Sequence, residues 1–196
     1  MLRLTLLCHG ATAASRAAAF PLDEPLEPRA RATARLLRDD LPQIRALSSP
    51  ARRARETAEA LGLRAHVDPA LRDCDYGRWA GLGVAAVAAR EPEAFAAFMT
   101  DPEACPHGGE SIADLHARAA AWLEALLPAS GRLLAVTHAP FVRAALLAVL
   151  SSPPEAFWRL DVPPLSTATL VSDGRRWTWR ATREGGARTA PRGRPR

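Results

Sequence analysis

Short hydrophobic runs at three places in the chain predict the strands of one buried sheet. Each run stops abruptly at polar residues, as expected of strands that deliver side chains to the carboxyl end of a parallel sheet. The runs are residues 2–7, 44–47 and 133–136, and residues 63–67 form a weaker fourth. Near the C-terminus, residues 165–172 and 176–182 flank Asp173-Gly174 and predict a hairpin.

Apolar residues at helical spacing fill the intervals between these strands. The first helix is predicted over residues 29–40, closed by Pro42, with an apolar stripe of Leu36, Leu37 and Leu41. The turn Ser48-Ser49-Pro50 predicts a helix N-terminus, because serine caps helices and proline suits their first turn. The remaining predicted helices are one to about residue 61, two over residues 82–100 divided at Pro92, one from Ser111 to Leu126, and one over residues 141–150. This alternation indicates a mixed α/β domain.

The formal charge of +5 is concentrated at the C-terminus. Residues 183–196 contain five arginines and one acid, Glu184, so they carry +4 and leave the rest of the chain almost neutral. A basic segment rich in Gly, Pro and Thr buries too little apolar area to order itself. We therefore predict one domain over residues 1–182 and a disordered basic tail over residues 183–196, and we disfavour nucleic acid as the partner.

Cysteine number and hydropathy indicate the compartment. The three cysteines are odd in number and far apart, which argues against a disulfide framework or a zinc ribbon and fits a reducing environment: Cys8, Cys74 and Cys105. No apolar stretch reaches the length of a membrane helix, and residues 2–7 are too short for the core of a signal peptide. These features predict a cytoplasmic protein without a membrane partner.

Side chains suited to phosphoryl transfer follow three of the predicted strands. His9 and His138 each come directly after an apolar run, and the Ser-Pro turn after the second run leads to Arg53. Because strand ends of one parallel sheet converge, we expect two imidazoles and a guanidinium in one crevice. A neutral imidazole can attack phosphorus, while a guanidinium holds phosphate oxygens. The histidines without this setting are predicted to be surface or structural residues: His66, His107 and His116.

Five short segments carry these residues and their neighbours. They read LLCHGAT from Leu6, SPARRARETA from Ser49, LRDCDYGRWAG from Leu71, GGES from Gly108 and VTH from Val136. In this order they resemble the sequence boxes of the histidine phosphatase superfamily, in its phosphoglycerate-mutase-like branch. The resemblance implies a three-layer α/β/α sandwich with a mostly parallel central sheet, and it implies neither a metal nor a cofactor.

The resemblance also implies a role for each matching residue. His9 would be phosphorylated transiently, Arg53 would clamp the phosphate and His138 would line the same pocket. Asp73 stands where the family has a glutamate acid, and we expect that a nearby phosphate gives this carboxyl a raised pKa, suited to proton donation. The further phosphate-binding groups are predicted to be Gly10, Thr12, Ser15 and the backbone amide of Ala139 at a helix N-terminus.

Cys8 is the departure from the family, because it replaces the first arginine of the Arg-His-Gly box. Each charged hydrogen bond lost there costs about 1.5–3 kcal/mol. We place Cys8 among the phosphate-binding positions, with Arg16 as a substitute donor. Cys8 as the nucleophile is disfavoured, since its spacing to Arg16 does not match the loop of cysteine phosphatases. A metal site of Cys8, His9 and His138 is also disfavoured, because it lacks paired ligand spacing.

The leading hypothesis is a phosphomonoester hydrolase that acts on a small phosphorylated metabolite through a phosphohistidine on His9. One alternative is a weak or inactive pseudophosphatase that binds a phosphorylated ligand or partner, and another is an adaptor that docks through residues 183–196. A mutase is disfavoured because no long insertion lies between Gly81 and Pro106. The substrate is left open among α-ribazole phosphate, 3-phosphoglycerate and sugar phosphates, and the oligomeric state is left open, with a homodimer as one alternative.

Overall fold

The computed structural model describes residues 1–37 and 44–181, and within them the strands form one sheet. The spatial order is β3-β2-β4-β1-β5-β6. The first four strands in this order run parallel, and the last two form the antiparallel hairpin at one edge. The strands are β1 (Leu2–Cys8), β2 (Arg45–Ser48), β3 (Ala65–Val67), β4 (Gly131–Thr137), β5 (Thr167–Ser172) and β6 (Trp177–Arg180).

Helices connect the strands and follow the predicted pattern closely. Pro92 divides the middle segment, and Ser111 caps a helix through a capping box with Asp114. The α-helices are α1 (Ala13–Arg16), α2 (Pro28–Leu36), α3 (Arg52–Ala60), α4 (Val84–Arg90), α5 (Pro92–Thr100), α6 (Ile112–Ala125) and α7 (Ala139–Val149). Single 3₁₀ turns or short 3₁₀ helices lie at Pro69–Leu71, Gly77–Trp79 and Pro154–Arg159.

The sheet separates two hydrophobic layers, because successive strand side chains point to opposite faces. Leu2, Leu4 and Leu6 of β1 pack in the larger core, which also contains the buried residues of α6 and α7. Leu7 packs on the opposite face, in a smaller core with alanines of α2 and α3. The predicted three-layer α/β/α sandwich with a mostly parallel sheet is confirmed.

Two local predictions are wrong. The buried face of α2 consists of Ala30 and Ala34, whereas Leu36 is 80% exposed at the end of the helix. Small alanines suit this face because α2 packs closely against the alanines of α3. The helix after β2 begins at Arg52 rather than with Pro50 in its first turn, since Ser49 Oγ accepts from the Ala51 N–H and forms a separate turn. Leu41 and Pro42 lie outside the described residues.

None of the helices within the described ranges is long and apolar enough to cross a membrane. The predicted basic tail at 183–196 also falls outside these ranges, so its disorder and the domain boundary at 182 stay predictions.

The loop of residues 75–78 and the loop of residues 107–110 cross closely, and this crossing depends on glycine. The backbone N–H of Glu110 donates to the Asp75 carbonyl at 2.7 Å, and the Arg78 N–H donates to the His107 carbonyl at 3.0 Å. A Cβ atom on Gly109 would overlap the carbonyl of Asp75 and press on the amide nitrogen of Gly77. This crossing fixes the segment that follows Asp73.

We predict that Gly109→Ala destabilises the fold, because both overlapping neighbours are backbone atoms that cannot rotate away. The free energy of unfolding should fall by about 1–3 kcal/mol, measured by urea denaturation. Gly83→Ala is the matched control, since a Cβ there meets nothing within 4 Å and the φ of −68° suits any residue. Equal losses in both variants would contradict the crossing as the cause.

Candidate active site

The site lies at the carboxyl ends of the three central parallel strands. His9 follows β1, Ser49 follows β2 and His138 follows β4. The His9 N–H donates to the Thr137 carbonyl, and the Ser49 N–H donates to the Val136 carbonyl, both at 2.9 Å. These bonds extend the sheet ladder by one residue on each strand, so the backbones that carry the functional side chains are held rigidly.

His9 is buried, with 9% of its surface exposed, and its ring lies edge-on to His138 with 5.1 Å between centroids. Its Nδ1 is 2.7 Å from the Gly10 carbonyl oxygen. A carbonyl only accepts, so Nδ1 carries the proton and Nε2 keeps its lone pair. Burial, and next the neighbouring His138, lower the pKa of His9 to about 4. The ring is therefore neutral and nucleophilic at neutral pH.

Arg53 projects from the first turn of α3 and is almost fully buried. One terminal nitrogen donates to Asp73 Oδ2 at 2.8 Å, and the other donates to the Leu22 carbonyl. Its Nε is buried without a hydrogen-bond partner among the described residues. The guanidinium is thus fixed on one side and keeps a donor for an anion.

The Asp73 carboxylate joins Arg53 to the second histidine. Oδ2 also lies 3.2 Å from His138 Nδ1, off the line of a hydrogen bond, and Oδ1 accepts from the Cys74 N–H at 2.9 Å. Burial raises the pKa of the carboxyl, but His138 and Arg53 outweigh it and hold the pKa below its usual range. The ion pair with Arg53, which the sequence did not show, thus holds the carboxylate charged, and the raised pKa expected beside a phosphate stays a prediction.

His138 is completely buried at the N-cap of α7. Its Nε2 lies 2.7 Å from Ser49 Oγ, and this oxygen also accepts from the Ala51 N–H. Ser49 is not among the predicted site residues. Its position directly after β2, in a turn that meets the other strand ends, is the signal that could have identified it.

Four predicted phosphate-binding residues direct their polar groups to other protein groups. The Gly10 N–H donates to Thr57 Oγ1 at 3.0 Å. Thr12 and Ser15 form the capping box of α1, and the Thr12 hydroxyl donates to Glu24 at 2.9 Å. The Arg16 side chain is 64% exposed and pairs with Glu27 through two nitrogens. Arg16 as a substitute donor is therefore wrong, because its guanidinium is bound at the surface.

Cys8 is buried at the last position of β1. Burial raises the pKa of its thiol to about 12, and a hydrogen bond from the Ala139 amide only partly opposes this. The thiol is consequently neutral, so it supplies neither the charge of an arginine nor a thiolate nucleophile. The Ala139 amide as a phosphate donor stays a prediction.

The other three histidines lie away from the crevice. His107 is buried among aromatic rings, and its Nδ1 accepts from the Gly109 N–H at 3.1 Å, which makes it structural. His66 is exposed on β3 and His116 is partly buried on α6.

A buried ion pair supports the segment that carries Asp73. Arg118 of α6 binds both carboxylate oxygens of Glu110 at 2.7 Å, through Nε and a terminal nitrogen. The same guanidinium donates to the backbone carbonyls of Ala70, at 2.7 Å, and of Asp73, at 3.2 Å. Glu110 belongs to the GGES segment, but Arg118 gave no sequence signal. The pair therefore fixes the position of the Asp73 backbone.

The lowered pKa of His9 predicts a pH-dependent stability. Between about pH 6.5 and pH 4 the unfolded chain binds a proton that the buried ring excludes, so the free energy of unfolding falls as the pH falls. His9→Gln should make this decline shallower, by about 1.4 kcal/mol per unit of pKa difference. Urea titrations at stepped pH measure it, with His66→Gln as the exposed control. Parallel pH profiles of wild type and His9→Gln would contradict the assignment.

Comparison with known proteins places the chain in a family. Residues 4–184 match the model of the histidine phosphatase superfamily, branch 1. A stretch of 136 residues is 32% identical to the bifunctional protein Rv2228c of Mycobacterium tuberculosis, over 65% of this chain and 37% of that protein. A stretch of 123 residues is 36% identical to glucosyl-3-phosphoglycerate phosphatase of Mycolicibacterium vanbaalenii, over 58% of this chain and 54% of that protein. The chain thus spans about a third to a half of the length of these curated relatives.

Solved structures agree with the family match. The mycobacterial glucosyl-3-phosphoglycerate phosphatase in complex with VO3 superposes with a TM-score of 0.79 at 29% identity, over 91% of this chain and 96% of that one. A phosphoserine phosphatase of Entamoeba histolytica gives a TM-score of 0.82 at 19% identity, over 92% and 96%, which is a likeness of fold alone. The resemblance inferred from the five sequence segments is therefore confirmed, and the chain belongs to the histidine phosphatase superfamily, branch 1.

Proposed function

We propose that this chain is a phosphatase that hydrolyses a small phosphorylated metabolite through a phosphohistidine on His9. The observation that carries the proposal is the neutral, buried His9, whose Nδ1 proton is bound to Gly10 and whose Nε2 lone pair is free. Arg53, Asp73 and His138 surround it, and relatives named as phosphatases support the same activity. Neither a metal nor a cofactor takes part in the proposed steps.

In the first step, His9 Nε2 attacks phosphorus while the bond from phosphorus to the ester oxygen breaks. Arg53 and His138 stabilise the charge on the oxygens of the transferred group, since their positions are set before the substrate arrives. The leaving oxygen needs a proton. Asp73 supplies it, because a bound phosphate competes for Arg53 and its negative charge raises the pKa of the carboxyl.

In the second step, a water molecule attacks phosphorus and the bond from phosphorus to Nε2 breaks. Asp73, now a carboxylate, accepts the proton of the water, so its acid form is restored as inorganic phosphate forms. His9 returns as a neutral ring, and its low pKa keeps the nitrogen unprotonated between turnovers. One carboxyl thus serves as acid and then as base.

The substrate belongs to the phosphate monoesters of small metabolites. The related glucosyl-3-phosphoglycerate phosphatases make glucosyl-3-phosphoglycerate and 3-phosphoglycerate the first esters to test. The second candidate function is binding of a phosphorylated ligand without turnover. The neutral Cys8 thiol favours it, because the strand-end position cannot donate a charged hydrogen bond.

We predict that His9→Ala abolishes turnover of p-nitrophenyl phosphate and removes the acid-labile phosphoenzyme, because the Nε2 of the second imidazole, His138, lies against Ser49 Oγ. Rapid quench with a ³²P-labelled ester detects the intermediate. His66→Ala, on the exposed surface of β3, should keep both activity and labelling. Wild-type rates in His9→Ala would eliminate the phosphohistidine route, whereas no turnover in the wild type would favour the binding function.

We further predict that orthovanadate stabilises the wild type, by about 2.7 kcal/mol at a concentration one hundred times its Kd. Arg53→Met should lose most of this protection, because the clamp is removed while the buried volume is kept. Thermal melts with and without vanadate measure the effect. A chain ending at Ala181 is the control, and loss of protection in that chain alone would assign the anion to the basic tail.

A further inference from the structure

Arg143 is a partly buried charge that the proposed mechanism does not use. It lies in α7, where every other residue from Phe141 to Val149 is apolar. Its guanidinium stacks over the rings of Phe157 and Trp158, with 5.5 and 5.8 Å to the ring centroids. Its Nε is buried and has no hydrogen-bond partner among the described residues. A buried donor without a partner is costly, so the position calls for an anionic or carbonyl partner.

The register of α7 places Arg143 on the side of the helix that leads to the site. The N-terminus of α7 carries His138 and Ala139, and side chains in an α-helix lean toward its N-terminus. Arg143 follows Ala139 by four residues, so the two share one face of the helix. This register suits an approach of the guanidinium to the end of the helix that borders His9.

Cys8 faces the same side of the sheet. Strand alternation places Cys8 with Leu4 and Leu6, whose side chains pack in the core that contains α7. Burial raises the pKa of the Cys8 thiol, and among the opposing positive charges Arg143 acts more strongly than Arg53. Arg143 also acts more strongly than Arg53 in lowering the pKa of the partly buried phenol of Tyr76. Arg143 therefore lowers the pKa of groups in the region that an arginine at position 8 would occupy.

We propose that Arg143 supplies the charged phosphate donor that Cys8 does not, reaching the pocket from α7 instead of from β1. The inference rests on the proposed function, because the phosphate it would bind is the one transferred to His9. The stack on Phe157 and Trp158 fixes the plane of the guanidinium, which leaves its edge available for phosphate oxygens.

The first test is Arg143→Gln, assayed with p-nitrophenyl phosphate and with orthovanadate as inhibitor. The value of kcat/KM should fall about tenfold or more, which one charged hydrogen bond of about 1.5 kcal/mol explains. The vanadate inhibition constant should rise by a similar factor. Arg90→Gln, an exposed arginine of α4, is the control and should match the wild type. Unchanged kcat/KM and unchanged vanadate inhibition in folded Arg143→Gln would overturn the proposal.

The second test asks whether positions 8 and 143 serve the same purpose. Cys8→Arg should raise kcat/KM about tenfold when it is introduced into Arg143→Gln, and its gain in the wild-type background, where the donor is present, should be smaller. An equal gain in both backgrounds would overturn the proposal. Should Cys8→Arg fail to fold because of its burial, the vanadate inhibition constants of wild type and Arg143→Gln still decide.

A third comparison separates the transferred phosphate from the leaving group. If Arg143 instead binds an acidic leaving group, Arg143→Gln will lose activity on 3-phosphoglycerate but not on p-nitrophenyl phosphate, and that result overturns the proposal. If the wild type hydrolyses no ester, the proposed function fails, yet the inference is still tested. Vanadate should then raise the melting temperature of the wild type, and Arg143→Gln should weaken this protection.

Discussion

The contact of the Asp73 carboxylate with Arg53 and His138 is the interaction on which the rest of the site depends. Its oxygen lies 2.8 Å from the guanidinium and 3.2 Å from the imidazole, and all three side chains are largely buried. Removing one partner from a buried pair leaves an uncompensated charge and costs about 3–5 kcal/mol. Much of the surrounding structure serves to hold this cluster: Arg118 binds the Asp73 backbone, Thr57 links the Arg53 helix to Gly10, and Ser49 orients His138.

Burial disfavours the charged form of both His9 and Asp73, but it determines the charge of only one of them. In His9 burial prevails and keeps the nucleophile neutral. In Asp73 the neighbouring His138 and Arg53 outweigh burial and keep the carboxylate charged. A phosphate dianion in the crevice would raise the pKa of Asp73, because it would compete for Arg53 and repel the carboxylate. In the proposed mechanism, Asp73 would therefore gain its proton when the substrate binds, which would couple binding to acid catalysis.

In the proposed site, the charge that Cys8 lacks would come from a different element of the fold. A neutral thiol at the end of β1 removes one donor, and an arginine in an otherwise apolar helix brings another charge to the same side of the sheet. Arg16, which is closest to Cys8 in the sequence among the following arginines, pairs with Glu27 at the surface. Sequence separation did not identify the charged neighbours of Cys8, because strands that end at the site are adjacent in space but distant in the chain. The paired residues Leu2 and Gly131, for example, are 129 residues apart.

The sequence by itself determined the strands, most helices, the family and the four central residues, because each depends on local spacing: an apolar run ending in His9 or His138, or a box with fixed intervals around Arg53 and Asp73. Tertiary structure alone decided which polar groups meet. It directed Thr12 and Ser15 to a helix cap and Arg16 to Glu27, and it brought Ser49 and Arg118 to the cluster. It also determined the charge of Asp73 and the neutrality of His9. Hydrogen-bond partners and pKa values depend on contacts between distant segments, and the spacing of residues along one segment carries no record of them.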